Sequence, residues 1–123
     1  MKDTTWGWHH ALDCYACDRA AITSREQIAA FSKALVEKID MVAYGAPVIE
    51  HFATHDAEKA GYSLVQLIET SNICGHFCDS TGDCYIDVFS CKPFNKEDVV
   101  AVINEFFNPK NITEHWIVRT AKP

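Results

Sequence analysis

Two periodicities run through this chain, and they divide it cleanly. After residue 23 apolar side chains recur at helical spacing: Ile28, Phe31, Leu35, Val36 and Ile39 make one stripe. Thr23 and Glu26, just ahead of it, have the spacing of a capping box, so the helix is expected to begin there. A second stripe of Val99, Val102, Ile103, Phe106 and Phe107 follows Asn95 and Asp98, which suit a helix start, and Asn108-Pro109 ends it. Elsewhere the period is two. Trp6 to Tyr15 alternates loosely and predicts a first strand that ends near Cys17-Asp18. Cys84 to Cys91 predicts another, with Tyr85, Asp87 and Phe89 on one face and Ile86 and Val88 on the other. Further strands are expected over Met41 to Ile49, where Gly45 and Pro47 mark an edge or a bend, and over Tyr62 to Glu69. Ile73 to Phe77 reads as a short strand or turn arm, and Ile112 to Thr120 as the last strand. His51 to Gly61 is polar and reads as a loop; Asp79 to Asp83 has the composition of a turn.

The order β-α-β-β-β-β-α-β predicts a two-layer α/β sandwich of the α+β kind, a mainly antiparallel sheet with two helices on one face. The sheet's other face keeps apolar side chains that need cover, and a homodimer is the simplest way to supply it. At 123 residues the chain is read as one domain, 1–123. A net charge of −6 argues against nucleic acid or an acidic membrane surface as partner, because both are gripped by clustered Lys and Arg. No apolar run approaches the roughly 20 residues that span a bilayer. The stretch from Met1 to His10 lacks the apolar segment of an export signal, so a cytoplasmic location is expected and the six cysteines are read as thiols. Cys14-x-x-Cys17 with Cys74, Cys78 and Cys84, and the pair His51 and His55, invite a zinc reading. These strand and turn positions are also wanted for packing, and no metal is expected.

The candidate chemistry is concentrated in one hairpin. Ser71 is followed five residues later by His76 and twenty residues later by Cys91, and Ser63 lies eight residues before it. A serine hydroxyl near its own preceding carbonyl can attack it and turn the amide into an ester. A base can then remove the serine α-proton, and elimination breaks the chain. Hydrolysis of the resulting dehydroalanine leaves a pyruvoyl ketone, which forms a Schiff base with a substrate amine and draws off the electrons released when CO₂ departs.

With Gly7-Trp8-His9-His10 and Tyr15-Ala16-Cys17-Asp18 at the start, and the Ile86-Asp87-Val88-Phe89-Ser90-Cys91 run, this pattern resembles the prokaryotic short-chain, pyruvoyl-dependent S-adenosylmethionine decarboxylases. The resemblance implies self-cleavage between Thr70 and Ser71 into a β chain, 1–70, and an α chain, 71–123, with Ser71 becoming the pyruvoyl cofactor. It makes His76 the processing base, Ser63 its assistant, Cys91 the acid that reprotonates the product carbon, and Phe52 the adenine-stacking ring. The implied product serves spermidine synthesis, and the implied active unit is a dimer. The family usually has Glu before the precursor serine and His after it, where this chain has Thr70 and Asn72. The family's ribose-binding glutamate is also absent from its place, with Asp79 and Asp83 the nearby acids. Two alternatives therefore stay open: the same cofactor acting on ornithine or arginine, and an uncleaved relative that binds a ligand without decarboxylating it.

Overall fold

The computed structural model describes residues 4–123; Met1 to Asp3, part of the stretch read as lacking an export signal, lie outside the described residues. The elements in chain order are β1 (Gly7–Tyr15), α1 (Arg19–Ile22), α2 (Arg25–Lys38), β2 (Val48–Phe52), β3 (Gly61–Ile68), β4 (Ser71–Phe77), β5 (Cys84–Ser90), α3 (Lys96–Phe107) and β6 (Asn111–Arg119). The strands form a single sheet in the order β2-β3-β4-β5-β1-β6, and every neighbouring pair is antiparallel. The two-layer α+β architecture expected from the periodicities is the one observed.

Burial alternates along each inner strand, as a sheet covered on one side requires. Leu12 and Cys14 of β1, Leu64 and Ile68 of β3, Ile73 and Phe77 of β4, and Cys84, Ile86 and Val88 of β5 are buried with the stripes of α2 and α3. Phe31 of α2 anchors this layer, its ring centroid 4.7 Å from that of Phe107 and 6.2 Å from that of Phe106. Cys14, Cys17 and Cys84 belong to the same core; Cys17 Sγ lies 3.6 Å from Cys84 Sγ, and the Cys84 thiol is pushed well up by its hydrogen bonds to Cys14 and Cys17 and by burial.

Three expectations shift when the chain is folded. Thr23 does not cap the long helix. It closes the short helix α1, its hydroxyl donating to the Arg19 carbonyl at 2.7 Å, and Ser24 caps α2 by accepting from the Gln27 amide at 3.1 Å. Glu26, the side chain expected to fold back, falls at the second helical position and accepts from Ser24 Oγ at 3.4 Å, while Gln27, at the third, reaches across to α3, its Nε2 donating to the Phe106 carbonyl at 3.0 Å. The strand expected over Met41 to Ile49 is split. Residues 42–44 run beside the end of β3, with Tyr44 N–H on Leu67 O and Glu69 N–H on Val42 O, and an isolated bridge joins Ala43 and Ile68. Gly45, at φ +73°, and Pro47 then bend the chain, and pairing resumes only at β2, which takes in His51 and Phe52 from the presumed loop. Strand β4 also begins earlier than expected, at Ser71, because a two-residue turn of Glu69 and Thr70 pairs Ile68 directly with Ser71. Gly61 is required where β2, β3 and the end of β4 converge: a Cβ there would sit 1.6 Å from the Phe77 carbonyl oxygen.

Candidate active site

The Glu69-Thr70 turn sets the geometry at Ser71. Thr70 holds φ at +69°, a left-handed conformation that costs a β-branched residue about 1–2 kcal/mol. Its hydroxyl folds back on the Glu69 carbonyl. The Thr70 carbonyl, which heads the Thr70–Ser71 bond, accepts the backbone N–H of Cys91 at 3.2 Å. That donor lies where negative charge would grow if the carbonyl carbon were attacked. Ser71 and Ser90 face each other across β4 and β5, and Ser71 Oγ donates to Ser90 Oγ at 2.6 Å. Ser90 is fully buried and accepts a second hydrogen bond from the Lys92 amide at 2.9 Å. A polarised carbonyl, a held hydroxyl and a strained residue thus meet at one bond.

His76 is not part of that group within one protomer. It pairs with Ser63 on β3, at the far end of β4, and Ser63 Oγ lies 3.2 Å from His76 Nδ1. Five strand residues at about 3.3 Å each separate it from Ser71 by roughly 16 Å, and the odd spacing turns the two side chains to opposite faces. The adjacency of serine, histidine and cysteine in sequence is therefore not adjacency in the folded chain. Phe52 lies at the Ser63–His76 end: it pairs with Gly61, two residues before Ser63, and its ring is 56% exposed. Thr70, Ser71 and Cys91 are brought together; Ser63, His76 and Phe52 form a second group.

Ser63, His76 and Phe52 lie on the sheet face that carries no helices, whereas Ser71 turns its hydroxyl to the helix side with Ser90. Along this open face His9 Nε2 meets Asp87 Oδ1 at 2.9 Å, and His115 Nε2 meets Asp13 Oδ2 at 3.0 Å. Cys74 pairs across to Asp87, and burial, with the neighbouring carboxylate, pushes its thiol up. The two acids offered as ribose acceptors are engaged elsewhere. Asp79 Oδ2 is 2.6 Å from His51 Nε2, and Asp83 Oδ1 accepts the Ala16 N–H at 2.9 Å. Glu50, in contrast, stands two residues from Phe52 on the same side of β2 and pairs directly with Ser63. The cysteines weighed as a zinc set are dispersed, with Cys14, Cys17 and Cys84 in the core and Cys74 in the row of β4 that faces the opposite side. Among the described residues no group of three or more His, Cys, Asp or Glu side chains is placed to hold a metal ion.

Ser90, Glu50 and the His9–Asp87 pair escaped the sequence reading. Ser90 alone left a trace, since alternation along β5 puts it in the apolar row of Ile86 and Val88, where a serine is out of character.

The chain is thus an α+β sandwich of one antiparallel sheet and its helices, with a serine directly after a turn residue held in the left-handed conformation. The profile of the S-adenosylmethionine decarboxylase family matches residues 8–120, and this chain belongs to that family. Its fold is similar to that of the adenosylmethionine decarboxylase from Aquifex aeolicus VF5, with a TM-score of 0.81, 22% identity, and coverage of 98% of this chain and 96% of that one. No curated protein matches the sequence. Among the described residues no helix is long and apolar enough to cross a membrane.

Proposed function

We propose that this protein is a self-processing, pyruvoyl-dependent decarboxylase of S-adenosylmethionine whose product feeds spermidine synthesis. The observation that carries the proposal is the Thr70–Ser71 bond, with Thr70 at φ +69°, its carbonyl on the Cys91 N–H, and the Ser71 hydroxyl held by Ser90. Attack of Ser71 Oγ on the Thr70 carbonyl carbon converts the amide to an ester and releases the turn from its left-handed strain. Loss of the Ser71 α-proton then expels the Thr70 carboxylate. Water takes up the dehydroalanine with release of ammonia, leaving a pyruvoyl group at the head of residues 71–123 and a free chain of 1–70. Ser71 sits at the first position of β4, so the new terminus stays fixed by the sheet. Once formed, the group supplies an electron sink for decarboxylation of a substrate amine. Cys91, next to Ser90 at the same end of the sheet, holds the proton for the product carbon.

In this reading the His76 that serves Ser71 comes from a second copy. The open face exposes Val48, Phe52, Val65, Leu67, Tyr85 and Ile117, an apolar surface that stacks well on its own image. A two-fold axis crossing the strands near Cys74 lays the Ser63–His76 end of one protomer over the Ser71–Cys91 end of the other, with the sheets about 10 Å apart. The processing base, its assisting serine and the stacking ring Phe52 then come from one protomer, and the scissile bond and acid from its partner. Glu50 beside Phe52 offers the carboxylate that the ribose hydroxyls of S-adenosylmethionine need, in place of the family's glutamate.

The test is an intact-mass spectrum of purified protein, followed by release of CO₂ from carboxyl-labelled substrate. The expected result is two chains of 1–70 and 71–123 in wild type, one uncut chain in Ser71→Ala, and CO₂ from S-adenosylmethionine. CO₂ from ornithine or arginine instead would overturn the substrate; one uncut chain in wild type would make the protein a non-catalytic relative.

A further inference from the structure

We infer that Ser90 is a catalytic residue of the self-cleavage step, the acceptor that holds the Ser71 hydroxyl as it attacks the Thr70 carbonyl. The inference rests on the processing proposed above and adds a residue that spacing to Ser71 does not reveal.

A buried serine in an apolar row of a strand is costly unless its hydroxyl is used, because an unpaired buried polar group loses its bonds to water. Ser90 is fully buried, between the sheet and the helices, yet its Oγ is engaged twice as an acceptor: by Ser71 Oγ at 2.6 Å and by the Lys92 N–H at 2.9 Å. The Lys92 bond comes from backbone just past the end of β5 and fixes the Ser90 side chain independently of Ser71. The direction of the Ser71–Ser90 bond is what matters chemically. With its proton committed to Ser90, Ser71 keeps its lone pairs for the carbonyl carbon. Residues 71 and 90 are direct cross-strand partners, and the neighbouring Cys91 N–H bonds the Thr70 carbonyl at 3.2 Å. The two strands therefore hold nucleophile and electrophile through consecutive residues of one segment: the Ser90 side chain grips the hydroxyl, and the Cys91 amide grips the carbonyl.

The step balances without another reactant. The Ser71 Oγ–Thr70 C bond forms, the Thr70 C–Ser71 N bond breaks, and the proton that leaves Oγ ends on the released nitrogen. Ser90 holds that proton away from the lone pairs while the new bond forms. His76 is set apart from this step and serves the later removal of the α-proton, so loss of either residue should stop cleavage at a different stage.

Cleavage of freshly purified wild type, Ser90→Ala, Ser90→Thr and His76→Ala is followed by denaturing electrophoresis and intact mass, with and without hydroxylamine, and thermal unfolding is recorded for each. Ser90→Ala is expected to fold with a melting temperature near that of uncut Ser71→Ala and to cleave about 100-fold more slowly than wild type, in line with the loss of a proton-handling group. Ser90→Thr, which restores the hydroxyl, is expected to cleave at close to the wild-type rate. Hydroxylamine should release fragments from His76→Ala, which stalls at the ester, and none beyond the slow cleavage already under way from Ser90→Ala, in which ester formation is the slowed step. Wild type that cleaves while Ser90→Ala keeps pace with it would overturn the role of Ser90 and leave self-processing intact. An accumulated ester in Ser90→Ala, seen as a burst of fragments with hydroxylamine like that of His76→Ala, or a Ser90→Thr protein as slow as Ser90→Ala, would also overturn it. Wild type that never cleaves sinks the processing reading itself, and this inference with it.

Discussion

Single residues in this chain carry costs that only their neighbours explain. His10 is the clearest case. It is fully buried between Phe94 and Trp116, its Nε2 bonds Glu114 at 2.8 Å, and its Nδ1 has no partner. Burial pulls its pKa below the ordinary 6.5, with Lys96 and His9 adding to the pull, and outweighs the opposing effect of Glu114. The folded state thus keeps this ring neutral where the unfolded chain takes up a proton. The contribution to stability is complete above the ordinary value and is lost as pH falls from there towards the lowered folded value. His10→Phe should flatten that part of the stability curve in urea unfolding between about pH 8 and about pH 5. An unchanged acid limb would assign the titration to another group. Thr70 bears a cost of a different kind, since its left-handed backbone persists only because the hairpin register and the Cys91 amide require it.

At the scale of elements, stability rests on the pairing of α2 with α3 over the middle of the sheet. Phe31 is the largest fully buried side chain of α2, and it meets Phe106 and Phe107, which end α3 just before the left-handed cap at Asn108. Phe31→Ala leaves a hole that rigid strands beneath cannot close, and should cost about 3–5 kcal/mol. Equilibrium denaturation checks this best on a Ser71→Ala background, where only uncut chains are compared. A loss below about 1 kcal/mol would show that the helices reseat freely. The helix stripes were plain in the sequence because 3.6-residue periodicity is a local property. The start of α2 was not, because Thr23 and Ser24 are both capping residues and the presence of α1 decides between them. The split edge strand was hidden likewise, since Gly45 and Pro47 announce a bend without saying where pairing resumes.

At the scale of the whole molecule, the open sheet face is the feature left unanswered by one chain. Its apolar residues are those that a two-fold partner would cover, and the same partner would bring Ser63, His76 and Phe52 to the scissile bond. Leu67→Lys places a charge in the middle of this contact while its neighbours Gln66 and Ile68 keep the helix-side packing. Light scattering should give twice the mass of one chain for Ser71→Ala and a single-chain mass for Ser71→Ala with Leu67→Lys. A monomer without the second substitution would require His76 to reach Ser71 by another route.

The sequence by itself determined the alternation of β1 and β5, the buried faces of both long helices and the spacing of Ser63, Ser71, His76 and Cys91. These are set by near neighbours in the chain, where side-chain period and backbone geometry leave little choice. Tertiary structure alone decided which of those residues meet. Spacing along a chain says nothing of the strand register that sets Ser71 against Ser90, or of the parity that sends His76 to the opposite face. Register is fixed by turns and by contacts between distant segments, and the twofold pleat makes one residue of shift enough to exchange the inside of the sheet for the outside.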